Sequence, residues 1–186
     1  MKLAAVVATL LVVAGIPARA EDHCLVSAVI GGKSVVMKHC AAAVYDHTGL
    51  TLFFSETPIG AEEKAMFELN SYPQDTDPAG QPRSMMHLAF CPGGGKPQAD
   101  AAAVRSVEMS MSHAGSPMLQ RQWVFELPKD KELKIEKLDG TLAAGGRISG
   151  RFTGGKTSDL LKYSWEVDFD LAVPEKEAAA GAGCGS

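Results

Sequence analysis

The chain is poor in aromatic residues, 6% of 186, and has no excess of positive charge, its formal net charge being −4. Nucleic-acid binding needs clustered lysine and arginine, and stacking platforms need many open rings, so a nucleic-acid partner is excluded. The longest apolar stretch, Leu3 to Ile16, is 14 residues. A bilayer span takes roughly 20, so no membrane span is expected. Asparagine occurs once, at Asn70, and Ser71-Tyr72 follows it, so there is no glycosylation sequon. There is no Cys-x-x-Cys motif of the kind redox enzymes use.

Signatures of catalysis are also missing. The loop Cys91-Pro92-Gly93-Gly94-Gly95-Lys96-Pro97 has Phe90 where a phosphate-binding loop needs glycine, and Pro97 where it needs serine or threonine. Gly146-Arg147-Ile148-Ser149-Gly150 lacks the spacing of a nucleophile elbow. Asp75-Thr76-Asp77 starts like a calcium loop but has neither a third acidic ligand nor a closing glutamate. The acids Glu166, Asp168 and Asp170 share one strand face, where solubility or pairing with Arg147 and Arg151 accounts for them.

What is present begins with an export signal. Lys2 precedes the apolar run, Pro17 breaks it, and Ala18-Arg19-Ala20 has the small-x-small pattern of a cleavage site before Glu21. Removing 20 of 186 residues leaves 166, one ordinary domain's worth of chain. It also removes Lys2 and Arg19, taking the formal charge from −4 to −6. The expected destination is a bacterial periplasm, otherwise secretion.

The dominant period in the mature chain is two. From Leu161 to Leu171 every odd position is apolar and every even one polar, the pattern of a strand with one wet face. Gly146 to Phe152 alternates likewise, and Thr153 to Asp159 between them reads as turn material, so the two segments form a hairpin. Setting Arg147 opposite Asp168 balances charge and places Gly150 against Trp165. Cys24–Ile30 and Ser34–Cys40 flank a Gly31-Gly32-Lys33 loop. Leu50–Ser55, Met85–Cys91, Val104–His113, Arg121–Leu127 and Glu132–Leu138 complete about nine strands, with short helical turns near 61–67 and 98–104. The fold class is all-β, an antiparallel β-sandwich or partly open barrel. It occupies residues 22–173, with a long exposed loop at 71–83 and a disordered tail from 174 to 186.

Four cysteines allow three pairings. A three-residue loop pairs Ile30 with Ser34 and so sets Cys24 directly opposite Cys40, within disulfide reach. Cys40–Cys91 is the rival, and Cys184 in the tail is read as unpaired or intermolecular.

One chemical lead remains. Met-x-His recurs at Met37-Lys38-His39, Met85-Met86-His87 and Met111-Ser112-His113. Residues two apart on a strand share a face, so each pair can present a thioether and an imidazole together, donors that copper(I) favours. Methionine is also a common core filler, and Val107, Met109 and Met111 stand on the side opposite Glu108, Ser110 and Ser112. Likewise Met86, Leu88 and Phe90 form an apolar set that leaves Met85 and His87 on the other face.

The expected function is an exported, non-enzymatic binding or accessory protein, with copper binding through these pairs as its sharpest form. The alternative is a protein-interaction or structural module that uses an exposed sheet edge or the 71–83 loop. Its occupant is a small ligand, a metal or a protein. Metal binding requires at least two of His39, His87 and His113 to meet each other or Met111. An interaction module requires an uncovered apolar patch or edge.

Overall fold

The architecture comes from a computed structural model that describes residues 21–30, 32–45, 49–68, 79–81, 83–91, 101–111, 121–126, 133–157 and 162–176. The signal segment 1–20, the tail beyond 176 and most of the 71–83 loop lie outside these residues. The strands are β1 (His23–Ile30), β2 (Lys33–Met37), β3 (His39–Tyr45), β4 (Gly49–Ser55), β5 (Met85–Phe90), β6 (Val104–Met111), β7 (Arg121–Glu126), β8 (Leu133–Gly140), β9 (Arg147–Thr157) and β10 (Lys162–Ala172). One helix, α1 (Ala61–Glu68), and a 3-10 turn at Ala101–Ala103 complete the set. The strands form two five-stranded antiparallel sheets, ordered β2-β1-β10-β9-β8 and β3-β4-β5-β6-β7. The molecule is an all-β, sandwich-like fold whose sheets do not close into a barrel.

Alternation decides which side chains meet between the sheets. Val26, Phe152, Val167 and Phe169 from the first sheet share one core with Leu52, Phe54, Met86, Leu88, Phe90, Val107 and Met109 from the second. At its centre Phe169 lies 6.0 Å from Phe54, 6.4 Å from Phe90 and 5.8 Å from Phe152, ring centre to ring centre. The pairs Phe90–Phe169 and Phe152–Phe169 meet edge to face, a geometry that adds about 0.5–1.5 kcal/mol per pair beyond the area buried.

The second sheet is covered on its outer face too. All seven residues of β4 are buried. A smaller cluster of Ala41, Ala43, Tyr45, Phe53 and Met85, with Ile59 against it, lies on that outer face beside α1. Gly60 caps the helix: its carbonyl accepts from the Lys64 amide, and its own amide donates to Glu63 Oε2 at 2.9 Å. The other Glu63 oxygen accepts from Arg83, whose Nη1 reaches Oε2 at 3.2 Å. Arg83 is only 1% exposed. The end of the expected 71–83 surface loop is therefore buried, because it carries the cation that docks α1.

Two registers differ from the sequence expectation. In the closing hairpin Arg151, not Arg147, stands opposite Asp168, and Gly150 faces Phe169 while Gly154 faces Trp165. The shift of four arises because Thr153-Gly154-Gly155 continues the strand instead of turning. A Cβ at Gly154 would collide with the Trp165 ring, so glycine is what lets that indole lie flat on the strand. In the first hairpin Ile30 pairs with Lys33, which leaves a two-residue turn with Gly32 at φ +81°. β2 then ends at Met37, and the chain crosses at Lys38 into the second sheet as β3, a strand of small residues that the sequence reading did not separate.

Cys24 and Cys40 are disulfide-bonded, as expected, but not as cross-strand neighbours. Cys24 lies in register with Phe169 and Cys40 with Phe54, so the bond staples one sheet to the other, with Cα atoms 6.3 Å apart. Cys91 is disulfide-bonded as well, and the rival Cys40–Cys91 pairing is not formed. Cys184 lies outside the described residues.

Candidate interaction surface

The outer face of the first sheet is graded in chemistry from strand to strand. On β9 and β10 it is ionic. Arg151 Nε donates to Asp168 Oδ2 at 2.8 Å and lies 3.7 Å from Glu166. The hydrogen bond that Arg151 donates to Asp168, and then the Asp168 charge, hold the Arg151 guanidinium above its ordinary pKa. Arg147 Nε donates to Asp170 Oδ1 at 2.9 Å, and its Nη1 reaches Asp22 Oδ1 at 3.4 Å. Asp22 Oδ1 also accepts from the Ala172 amide at 2.9 Å, which ties the start of β1 to the end of β10. The acids of β10 are thus paired within the sheet, and the polar depression of about 520 Å³ over Glu136, Ser149, Arg151 and Asp168 is floored by ion pairs.

On β1 and β2 the same face turns apolar. Cys24, Val26 and Ala28 point into the core, so Leu25, Ser27 and Val29 point out. On β2, Val36 stands opposite Ser27, and Ser34 opposite Val29. Leu25, Val29 and Val36 are 38%, 42% and 44% exposed, and they are the exposed large apolar side chains among the described residues. All three lie at one end of one face. The signal for them was present in the sequence: Leu25-Val26 and Val35-Val36 are apolar at both parities, a pattern normal for a strand covered on two sides.

The strand edges around the molecule are not equally open. β8 is broken by a bulge between Ile135 and Lys137 and carries exposed Lys134 and Lys137, devices that blunt pairing. β3 has α1 packed against it. β2 ends the first sheet with Lys33, Ser34 and Val36 exposed. A second concavity, about 480 Å³, lies between Cys40–Val44 and Ala172–Lys176, with Asp22, Lys64 and Glu175 on its walls. Val173 there is fully buried, and Pro174 accepts a hydrogen bond from the Gly145 amide, so the packed chain runs past residue 173.

Among the described residues, the sequence-predicted metal ligands are divided between the main core and the outer face of the second sheet. Met37 is buried in the main core from β2, whereas His39 is exposed on β3, so these two do not share a strand. Met85 and His87 do share the outer face of β5, but that face is covered: Met85 is fully buried and His87 half-buried. His87 stands in register with Phe53 and Glu108, its ring 4.8 Å from that of Phe53 and edge-on to it. His39, Ser55 and Met85 fall in one register row, which puts His39 two strand spacings, about 10 Å, from Met85. Met111 lies in register with Arg121 at the end of β6, and His113 lies outside the described residues. Among the described residues no three His, Cys, Asp or Glu side chains gather as a metal site, and no helix is long and apolar enough to cross a membrane. Comparison with protein-family models, with curated proteins and with solved structures finds no match to this chain.

Proposed function

We propose that this is an exported, non-enzymatic interaction module that docks a partner protein on the β1–β2 end of its first sheet. The observation that carries this reading is the gathering of Leu25, Val29 and Val36 on one otherwise polar face. Apolar side chains scattered singly over a surface need no explanation, but three grouped around Ser27 on one sheet face beside an edge strand call for one. The signal-like residues 1–20 support export, as do the disulfides at Cys24–Cys40 and Cys91, because such bonds persist in oxidising compartments.

Magnitude limits what the patch does alone. Each side chain is about 40% exposed, so covering it recovers roughly 1 kcal/mol, and the three together roughly 3 kcal/mol. A micromolar complex takes about 8 kcal/mol. The patch therefore orients a partner whose other contacts supply the remainder.

The test is site-specific photo-cross-linking in the exporting cell, with a benzophenone amino acid in place of Val29 or Val36 and, as control, of Lys134. Discrete adducts from the first two positions and none from the third are expected. Equal labelling at all three, or none, would remove the interaction reading.

A further inference from the structure

Resting on that reading, we infer that the partner adds a strand to β2, which among the described residues is the edge of the first sheet, and that this strand is apolar at its centre and acidic at both ends. The shortfall in apolar energy is the first reason. A strand laid along an open edge contributes main-chain hydrogen bonds that a flat patch lacks. β2 is the open edge adjoining the exposed apolar group, since Val36 belongs to both.

The side chains of β2 then describe the occupant. Val35 is half-buried and packs against the main core, whereas Val36 points outward and is exposed. A strand alongside meets apolar surface on both faces at its middle, where one side chain extends the core past Val35 and its neighbour covers Val36. At the ends stand Lys33 and Lys38, both exposed. They bracket the five-residue edge with positive charge.

That bracket also argues against a second copy of this chain. In the antiparallel self-pairing that overlaps the whole segment from Lys33 to Lys38, Lys33 falls directly opposite the second copy's Lys38, and Lys38 opposite its Lys33. Each end of the joint sheet would then hold two directly opposed like charges, an arrangement that destabilises pairing. Edge lysines commonly guard against such self-association. Here the same two lysines select a partner that brings carboxylates.

The experiment uses the mature protein and two fluorescent peptides about seven residues long. Both alternate valine and threonine; one is capped by glutamate at each end, the other by lysine. Fluorescence anisotropy is expected to show the glutamate-capped peptide binding at least tenfold more tightly, with the preference inverted in the exposed-site variant Lys33→Glu/Lys38→Glu. Circular dichroism checks that this variant folds, and Val36→Lys is expected to abolish binding of the glutamate-capped peptide. Equal binding of both peptides would overturn the charge selection while leaving the apolar surface as the docking site. Binding of neither, with cross-links still forming at residue 36, would overturn strand addition alone. Binding of neither and no cross-links would overturn both readings. Reversible dimerisation in sedimentation, lost in Val36→Lys, would replace the acidic partner with a second copy.

Discussion

Replacing Arg83 by methionine tests its buried ion pair with Glu63. The substitution keeps the side chain's length and apolar stem but removes the cation, leaving the Glu63 carboxylate with the Gly60 amide as its remaining hydrogen-bond donor. The Arg83 side chain is 1% exposed and that of Glu63 11%, so water compensates little. Breaking a buried pair from one side costs about 3–5 kcal/mol, and the slight exposure of Glu63 places this case near 3. Adding Glu63→Gln removes the stranded charge while keeping an oxygen for the Gly60 amide, so the double variant should recover at least about half of that loss. Urea unfolding followed by tryptophan fluorescence reads the cycle. With a slope of about 2 kcal/mol per molar, Arg83→Met lowers the midpoint by about 1.5 M. Amide exchange over Ala61–Glu68 reads the helix directly, and it should quicken in Arg83→Met. If neither midpoint nor exchange moves, or if the two single effects simply add in the double variant, the pair does not hold α1 to the sheet.

Three further outcomes follow from the same structure. Cys24→Ala/Cys40→Ala opens a loop of sequence separation 16, which costs about 3 kcal/mol by chain entropy, measured as a lower midpoint in the same assay; with that bond formed, peptide mapping should join Cys91 to Cys184, the one cysteine left in the chain. Gly154→Val drives a side chain into the Trp165 ring and should lose about 1–3 kcal/mol together with near-ultraviolet dichroism, whereas Gly32→Ala, with nothing within 4 Å, should lose only the roughly 1 kcal/mol of its positive φ. Copper(I) titrated against a competing chelator should leave the metal with the chelator; stoichiometric capture that Met111→Ala/His113→Ala abolishes would instead assign the protein to soft-metal binding.

Period-two alternation was enough to locate nine of the strands, because a strand with one face in a core shows that face as alternate apolar residues in its sequence. It also placed Trp165, Met86 and Met109 inside. The same alternation could not separate β3 from β2: Cys40-Ala41-Ala42-Ala43 carries small residues at both parities, and only the crossing at Lys38 assigns them to another sheet. Nor could it settle the hairpin register. Glycine reads locally as a turn residue, and the ring that converts Gly154 into strand comes from β10.

The Cys24–Cys40 pair was legible while its geometry was not, since pairing depends only on two thiols meeting and two quite different folds bring them together. Leu25, Val29 and Val36 were visible as apolar residues from the start. Whether such a residue is core or docking surface depends on what lies above it. On the outer face of the second sheet Phe53 and Met85 are buried together with Ala41, Ala43 and Tyr45, and Ile59 packs against them, but at the β1–β2 end of the first sheet the described chain leaves the apolar face open. Sequence therefore determined the alternation, the strands and the candidates for export and staple. Tertiary structure decided which apolar faces are covered, because coverage comes from segments distant in the chain that no local pattern records.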